Sequence, residues 1–301
     1  MPSANIRATF GGALLLMSVL VSASETQPIP AVHSNSQRIS VETQGSGPDV
    51  ILIPGLASSR EVWTDLAATL RKSHRVHLVE LAGFASTPAL SNPDGKVIAP
   101  AVDAIADYIQ IQHIKAPVII GHSLGGEIAL MIGARHPDQV SRLMIVDALP
   151  FYTLMIDPAA TTETAARHAT ATRDWLLGQS PQQFKEFQKT SIIRLAKTEA
   201  VRPALVTAGL NSDRKTVVDA VYELMITDLR PELTRIKAPM EIVYAYDALF
   251  GVSAASVDAM YRQAYASASD IHFTRIDDSF HFVMLDQPER FSRAVTSFLN
   301  Q

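Results

Sequence analysis

The sequence predicts an α/β protein built on a doubly wound, mainly parallel sheet. Short apolar runs alternate with longer helical patterns along most of the chain, and several of these runs are apolar at every position. Strands that are apolar on both faces are typical of a parallel sheet covered by helices on either side. With 301 residues, 47% of them hydrophobic, the chain is long enough to bury such a core.

The predicted strands are short and are separated by helical patterns. The first strand is Ile39–Thr43, which ends at a turn containing two glycines and a proline. The other strands are Val50–Ile53, Arg75–Leu81, Val118–Ile120, Leu143–Val146, Ile242–Ala245 and Ile271–Ile276. The helices predicted between and after them are Ser59–Arg71, Val97–His113, Leu124–Arg135, Ser253–Ala266 and Pro288–Asn300.

One long interval, between Asp147 and Pro239, has no convincing strand pattern. Its helical patterns are Thr162–Leu177, Pro181–Lys197 and Asp213–Leu229. Such a connection is too long to be a plain loop. We therefore expect residues 150–235 to form a helical cap over the sheet, and residues 38–149 and 236–301 to form the core domain.

The first two dozen residues have the pattern of a secretory signal peptide. Arg7 precedes the mostly apolar stretch Phe10–Val21, and Val21-Ser22-Ala23 offers small residues for cleavage. We expect residues 1–23 to be the signal and residues 24–37 to be a loose mature N-terminus; an uncleaved N-terminal anchor is the alternative. The chain has no cysteine, which excludes a lipid-modified cysteine and disulfides. This pattern predicts a periplasmic or secreted protein with no stable membrane insertion after cleavage.

Charge and residue usage exclude several classes of partner. The 26 basic and 30 acidic residues are nearly balanced and form no long run of one sign. This balance argues against nucleic acid or an anionic membrane surface as the main partner. The sequence shows no Gly-rich phosphate loop and no Cys/His ligand cluster, so we expect no metal and no organic cofactor. We expect a small-molecule substrate; the sequence carries no signal for an oligomeric state.

Ser123 lies in the run Gly121-His122-Ser123-Leu124-Gly125, directly after one predicted strand and directly before a predicted helix. A nucleophile elbow requires this strand–turn–helix context, because the tight turn strains the serine backbone and side chains at the flanking glycines would collide with neighbouring elements. The helix N-terminus favours developing negative charge. The pattern predicts Ser123 as the catalytic nucleophile of a serine hydrolase; a glycine-rich turn with an idle serine is the alternative.

Two backbone N–H groups are candidates for an oxyanion hole. Pro54-Gly55-Leu56 ends the predicted strand Val50–Ile53, and Leu124 follows the nucleophile. The Leu56 and Leu124 amides are therefore expected to stabilise a tetrahedral oxyanion. An ordinary Pro-Gly turn would have the same local sequence.

His281 is the best of nine histidines as general base, because it follows the last predicted strand and precedes the last helix. His122 adjoins the nucleophile, but we expect its side chain to point away and to pack beneath the turn. A carboxylate must orient the base. Asp247 follows the strand Ile242–Ala245 and lies between Ser123 and His281 in chain order, which makes it the first choice. Asp147, just after Leu143–Val146, is the alternative acid.

These residues resemble the α/β-hydrolase fold superfamily, in its capped lipase/esterase-like branch. The resemblance extends from Ile39 to Phe298. The segments that carry it are Ile53–Leu56 with Trp63, Glu80–Thr87, Gly121–Gly126, Asp228–Pro239, Phe280–Phe282 and Asp286–Glu289. The chain departs from the family pattern where Pro54 replaces a usual His, at Ala85 and Thr87, and at the acid. The family usually reads Gly-x-x-Asp there, which puts Asp247 one residue early.

The resemblance implies a helical cap inserted after the sixth strand and a serine hydrolase that cleaves a small or medium carboxylic ester through an acyl-enzyme. Amide or iminopeptide hydrolysis, carbon–carbon bond hydrolysis, lactone opening and perhydrolysis use the same site and stay open. A binding protein that has lost catalysis is the alternative of another class. Trp63, Phe151 and Trp175 are candidates for the substrate pocket. For Phe151 and Trp175, which lie in the insertion, packing of the cap helices on the sheet domain is the other interpretation.

Overall fold

The computed structural model describes residues 32–33, 37–91 and 94–301 of the chain. Its strands are β1 Val32–His33, β2 Ile39–Gly45, β3 Asp49–Ile53, β4 Arg75–Leu81, β5 Val118–His122, β6 Arg142–Val146, β7 Met240–Tyr246 and β8 Ile271–Asp277. Its helices are α1 Thr64–Leu70, α2 Ile98–Ile111, α3 Leu124–Arg135, α4 Thr162–Gly178, α5 Pro181–Leu195, α6 Arg202–Leu210, α7 Arg214–Ile226, α8 Ala254–Ala264, α9 Val283–Asp286 and α10 Pro288–Leu299.

The strands form one sheet in the order β1-β2-β4-β3-β5-β6-β7-β8. Neighbouring strands pair in parallel from β4 through β3, β5, β6 and β7 to β8. The β1–β2 and β2–β4 pairs are antiparallel. The predicted doubly wound, mainly parallel sheet is thereby confirmed. Because the strands from β3 onward are parallel, the loops after β3, β5, β6, β7 and β8 all emerge at one edge, where ligands bind in this architecture.

The core consists of one apolar layer on each side of the sheet. Ile51 and Ile53 pack with helices α2 and α3, whereas Val50 and Leu52 pack with α1 and α10. All four side chains are fully buried. Their burial on alternating faces explains why this strand is apolar at every position in the sequence.

Between β6 and β7 the chain forms the helices α4 to α7, and the described stretch 150–235 contains no strand. Helix α4 packs along α7, with Leu176, Phe184 and Val218 buried between the cap helices. Glu223 on α7 joins the cap to the core, because its carboxylate accepts hydrogen bonds of 2.7–2.9 Å from three amides at the start of α2. Helix α6 was not expected from the sequence.

The structure differs from the expected organisation at the N-terminus. The stretch 24–37 was expected to be loose, but Val32–His33 pairs with β2 as a short edge strand. The predicted signal peptide, residues 1–23, lies outside the described residues.

Candidate active site

Ser123 occupies the sharp turn between β5 and α3. Its backbone has φ 54° and ψ −121°, a strained conformation for a residue with a side chain. A Cβ on Gly121 would lie 2.1 Å from the Gly125 carbonyl oxygen, and a Cβ on Gly125 would lie 2.3 Å from the Ile53 carbonyl oxygen. Only glycine fits at both positions. The sequence pattern around Ser123 is therefore a steric requirement of this turn.

The end of β3 lies beside the serine. A Cβ on Gly55 would approach the Ser123 Cβ to 3.1 Å, so the turn that carries Leu56 runs next to the nucleophile position. In the described part of the chain, neither the Leu56 amide nor the Leu124 amide donates a hydrogen bond to a protein group. Both amides are therefore without a protein acceptor in the described part of the chain, a condition that the donors of an oxyanion hole must meet.

His281 lies in the loop between β8 and α9 and forms a hydrogen bond with Asp147. The distance from its Nδ1 to the Asp147 Oδ2 is 2.7 Å. The two side chains are 22% and 13% exposed, respectively, so both groups are only partly accessible to water. A carboxylate on Nδ1 places the ring proton there and leaves Nε2 as the basic nitrogen, which is the tautomer that a general base needs.

The Asp147 carboxylate is held from three directions. Its other oxygen, Oδ1, accepts hydrogen bonds from the Ala245 amide at 2.9 Å and from the Tyr261 hydroxyl at 3.0 Å. The backbone of Asp147 has φ 47°, in the left-handed region, and its amide donates to the Val243 carbonyl oxygen at 2.7 Å. Asp147, like Ser123, is held at positive φ at the edge where the parallel strands end, and backbone strain of this kind clusters at functional sites.

The expectation that Asp247 contacts His281 is wrong. Asp247 follows β7 in extended conformation, and its carboxylate accepts a hydrogen bond from the Leu249 amide and lies 2.6 Å from the Lys197 ammonium of the cap. Burial tends to raise the pKa of this carboxyl, but the bonds from Lys197 and Leu249 outweigh it and hold the pKa below its ordinary value. The alternative acid, Asp147, is the one that meets the histidine. The two aspartates follow adjacent parallel strands, so chain order did not distinguish them.

The His122 side chain packs against the loop that carries His281 and against Trp63. Its ring is buried, its Nε2 donates to the His281 carbonyl oxygen at 3.0 Å, and the two histidine rings are 4.5 Å apart. Burial, and the nearby His281, lower the pKa of His122 well below its ordinary value. His122 is therefore a neutral support for the loop that carries His281.

The three aromatic candidates for a substrate pocket do not form one. Trp63 is fully buried and stacks on Phe291, and Phe151 is fully buried beneath the guanidinium of Arg230. Both are core residues, because neither ring has accessible surface to offer a substrate. Trp175 is half exposed on the cap, where its ring contact is with Phe187. The packing interpretation of the aromatics in the insertion therefore agrees with the burial of Phe151, and Trp63 packs within the core domain.

Comparisons with known proteins place this architecture in a family. A profile of the alpha/beta hydrolase fold matches residues 48–220, which include the serine turn and Asp147. The chain belongs to this α/β-hydrolase family. The resemblance inferred from the sequence segments is thereby confirmed.

Relatives and solved structures of α/β hydrolases align over most of the chain. The pimeloyl-[acyl-carrier protein] methyl ester esterase of Chromobacterium violaceum is 29% identical over 262 residues, 86% of this chain and 97% of that protein. The enzyme of the same name from Aromatoleum aromaticum is 28% identical over 249 residues, 80% of this chain and 94% of that protein. A thermophilic esterase from Thermogutta terrifontis has a TM-score of 0.71 at 19% identity, covering 91% of this chain and 98% of that chain, which shows a shared fold.

Sequence reasoning missed three residues that support this α/β-hydrolase site. Tyr261 of α8 reaches Asp147, and Lys197 of the cap pairs with Asp247. Asp286 accepts hydrogen bonds from the Lys197, Thr198 and Phe280 amides at 2.8–3.0 Å, and so ties the cap to the histidine loop. Asp286 belongs to a segment that carried the family resemblance. Tyr261 and Lys197 lie on helical patterns with no local signal for these contacts.

The described residues include no group of three or more His, Cys, Asp or Glu side chains arranged to hold a metal ion. Within the same residues, no helix has the length and apolar character needed to cross a membrane.

Proposed function

We propose that the chain is a serine hydrolase that cleaves small or medium carboxylic esters, with Ser123, His281 and Asp147 as its catalytic triad. The observation that carries the proposal is the 2.7 Å hydrogen bond between His281 and Asp147 at the same sheet edge as the strained Ser123 turn. A serine at this strained turn and a histidine paired with an aspartate at the same sheet edge support acyl transfer by serine.

The reaction takes place in two steps. His281 Nε2 removes the proton of the Ser123 hydroxyl as the oxygen attacks the ester carbonyl, and the Leu56 and Leu124 amides stabilise the oxyanion. The imidazolium, stabilised by Asp147, then gives its proton to the leaving alcohol, and an acyl-enzyme forms. Water, deprotonated by the same histidine, attacks the acyl group. When the second tetrahedral intermediate collapses, the imidazolium returns this proton to the Ser123 oxygen, and the acid is released.

The relatives support an ester as the bond that is cleaved. The curated relatives carry the name of a methyl ester esterase and match this chain over more than nine tenths of their own lengths in the two cases above.

Each oxyanion-hole donor is worth about 3–4 kcal/mol of transition-state stabilisation in a well-studied serine protease. Two donors therefore supply a large part of the rate enhancement that an ester hydrolase needs.

Reaction of the serine with a fluorophosphonate probe tests the proposal. We expect the folded protein to be labelled, Ser123→Ala to be unlabelled, and the exposed control Ser141→Ala to be labelled like the wild type. A panel of p-nitrophenyl esters of increasing chain length, with an anilide and a lactone alongside, identifies the bond. Labelling that survives Ser123→Ala, or an absence of turnover on every ester, would refute the proposal.

We further propose that the enzyme acts outside the cytoplasm, because residues 1–23 have the pattern of a signal peptide. Expression of the full chain with a C-terminal tag, followed by cell fractionation and N-terminal sequencing, tests this. We expect a periplasmic or secreted product that begins near residue 24. Full-length protein with Met1 retained in the cytosol would contradict the prediction.

A further inference from the structure

Tyr261 contacts the acid of the proposed triad from the side opposite to His281. Its hydroxyl donates to the Asp147 Oδ1, whereas His281 occupies Oδ2. The phenol lies on α8, far in sequence from Ser123, and is 3% exposed. Its ring stacks on Tyr244 with the centroids 4.2 Å apart, and the Tyr244 hydroxyl is in turn bonded to Asp258. The donor is therefore held in one orientation.

The surroundings keep Tyr261 protonated. Burial, together with the adjacent Asp147 carboxylate, raises its pKa well above the ordinary value of a phenol. The groups that face Asp147 are His281 from the histidine loop, Tyr261 and Tyr265 from α8, and the Ala245 amide from β7. Because Tyr261 and the Ala245 amide both donate to Oδ1, the other oxygen, Oδ2, accepts the hydrogen bond from His281 Nδ1.

We infer that Tyr261 is a positioning residue of the hydrolase, which orients Asp147 and tunes the basicity of His281 through it. This inference rests on the proposed triad. The physical reason is that a hydrogen bond to an anion is short and directional, so it restricts rotation of the carboxylate and withdraws charge from it. Without the phenol hydroxyl, Asp147 keeps one donor on Oδ1 and rotates more freely, so it aligns His281 less well with Ser123 and kcat falls. The carboxylate also keeps more of its negative charge, which makes His281 more basic.

Tyr261→Phe tests the inference, with Tyr265→Phe as the matched control. Tyr265 lies four residues further along the same helix, is equally buried, and donates instead to the Ala148 carbonyl oxygen at 2.9 Å. Both variants lose one buried hydroxyl hydrogen bond, but only the first loses a bond to the acid. Hydrolysis of a soluble p-nitrophenyl ester is measured across pH, with active sites counted by fluorophosphonate titration so that unfolded protein does not contribute.

We expect Tyr261→Phe to lower kcat about five- to tenfold with little change in KM, because one charge-assisted hydrogen bond is lost. The acid limb of kcat/KM should move to higher pH, by about half a unit, as His281 becomes more basic. Tyr265→Phe should keep the wild-type profile per active site. A purely structural role of Tyr261 would lower the thermal midpoint and leave the pH profile unchanged.

A second variant keeps the test decisive if Tyr261→Phe does not fold. Replacement of Tyr261 by a ring-fluorinated tyrosine retains the hydroxyl but makes it a stronger donor, so the acid limb should move to lower pH. Equal profiles for wild type, Tyr261→Phe and Tyr265→Phe, or an unmoved limb in the fluorinated protein, would overturn the inference. Asp147→Asn separates the two proposals. If Asp147→Asn retains activity, the proposed triad is wrong. If Asp147→Asn loses activity but Tyr261→Phe behaves like the wild type, only the role of Tyr261 is wrong.

Discussion

Replacement of Asp147 by asparagine should inactivate the enzyme, for a reason that follows from the hydrogen bonds of the carboxylate. The Ala245 amide and the Tyr261 hydroxyl both donate to Oδ1, so the asparagine oxygen would take that place. Its NH₂ group would then face His281 Nδ1, which must become an acceptor. The imidazole proton moves to Nε2, and the ring no longer accepts the Ser123 proton. A reversed tautomer of this kind lowers kcat by about 10⁴-fold in the serine-protease triad.

Asp247→Asn is the matched control. It removes the charge opposite Lys197 but leaves the His281 contact intact, so we expect kcat/KM within about tenfold of the wild type. Both variants are assayed on a short p-nitrophenyl ester, with circular dichroism to confirm folding. If Asp247→Asn shows the larger loss while both proteins are folded, the assignment of Asp147 is wrong.

Three further predictions concern stability, each measured by thermal unfolding. Gly125→Ala places a Cβ 2.3 Å from a backbone carbonyl oxygen of β3 and should destabilise the fold by about 3 kcal/mol. In the control Gly178→Ala the new Cβ meets no atom within 4 Å, so this change should stabilise α4 by about 0.5 kcal/mol. Equal effects of the two changes would refute the steric argument. Lys197→Met removes the partner of Asp247, whose pKa is depressed in the folded state. The variant should therefore unfold at a lower temperature than the wild type near neutral pH, and the difference in thermal midpoint should decrease as the pH falls below 3.8, the ordinary pKa of an aspartate. A difference that increases in acid would contradict this. Burial, and then the nearby Glu223 carboxylate, raise the pKa of Glu127 well above 4.5, so this carboxyl group makes folding less favourable as the pH rises above 4.5. Glu127→Gln should raise the thermal midpoint at neutral pH, and its difference from the wild type should decrease as the pH falls towards 4.5. A lower midpoint than the wild type at neutral pH would contradict this prediction.

The sequence was sufficient where function depends on local geometry. The turn at Ser123 needs glycines at fixed offsets, a strand before it and a helix after it, and all of these are readable within a few residues. His281 was found because it lies between the last strand and the final helices. The alternation of strands and helices sufficed for the parallel sheet, since strands buried on both faces leave an unmistakable apolar pattern.

Aromatic side chains show where the sequence was insufficient. Trp63 and Phe151 are large apolar residues near functional segments, and this composition suits a pocket wall as well as a core. The structure buries both completely, Trp63 against Phe291 and Phe151 beneath Arg230. Burial depends on which distant elements pack together, and Phe291 and Arg230 are far from their partners in sequence.

The sequence by itself was enough to propose Ser123 as the nucleophile and His281 as the base, and it determined the sheet on which they lie, because each depends on residues close together in the chain. The choice of the proposed acid came from the tertiary structure. Asp147 and Asp247 follow neighbouring parallel strands, and both are oriented by backbone amides. What separates them is a left-handed backbone at Asp147, Tyr261 on a distant helix, and a cap lysine that pairs with Asp247. These contacts join residues far apart in the chain, so only the folded protein brings them together.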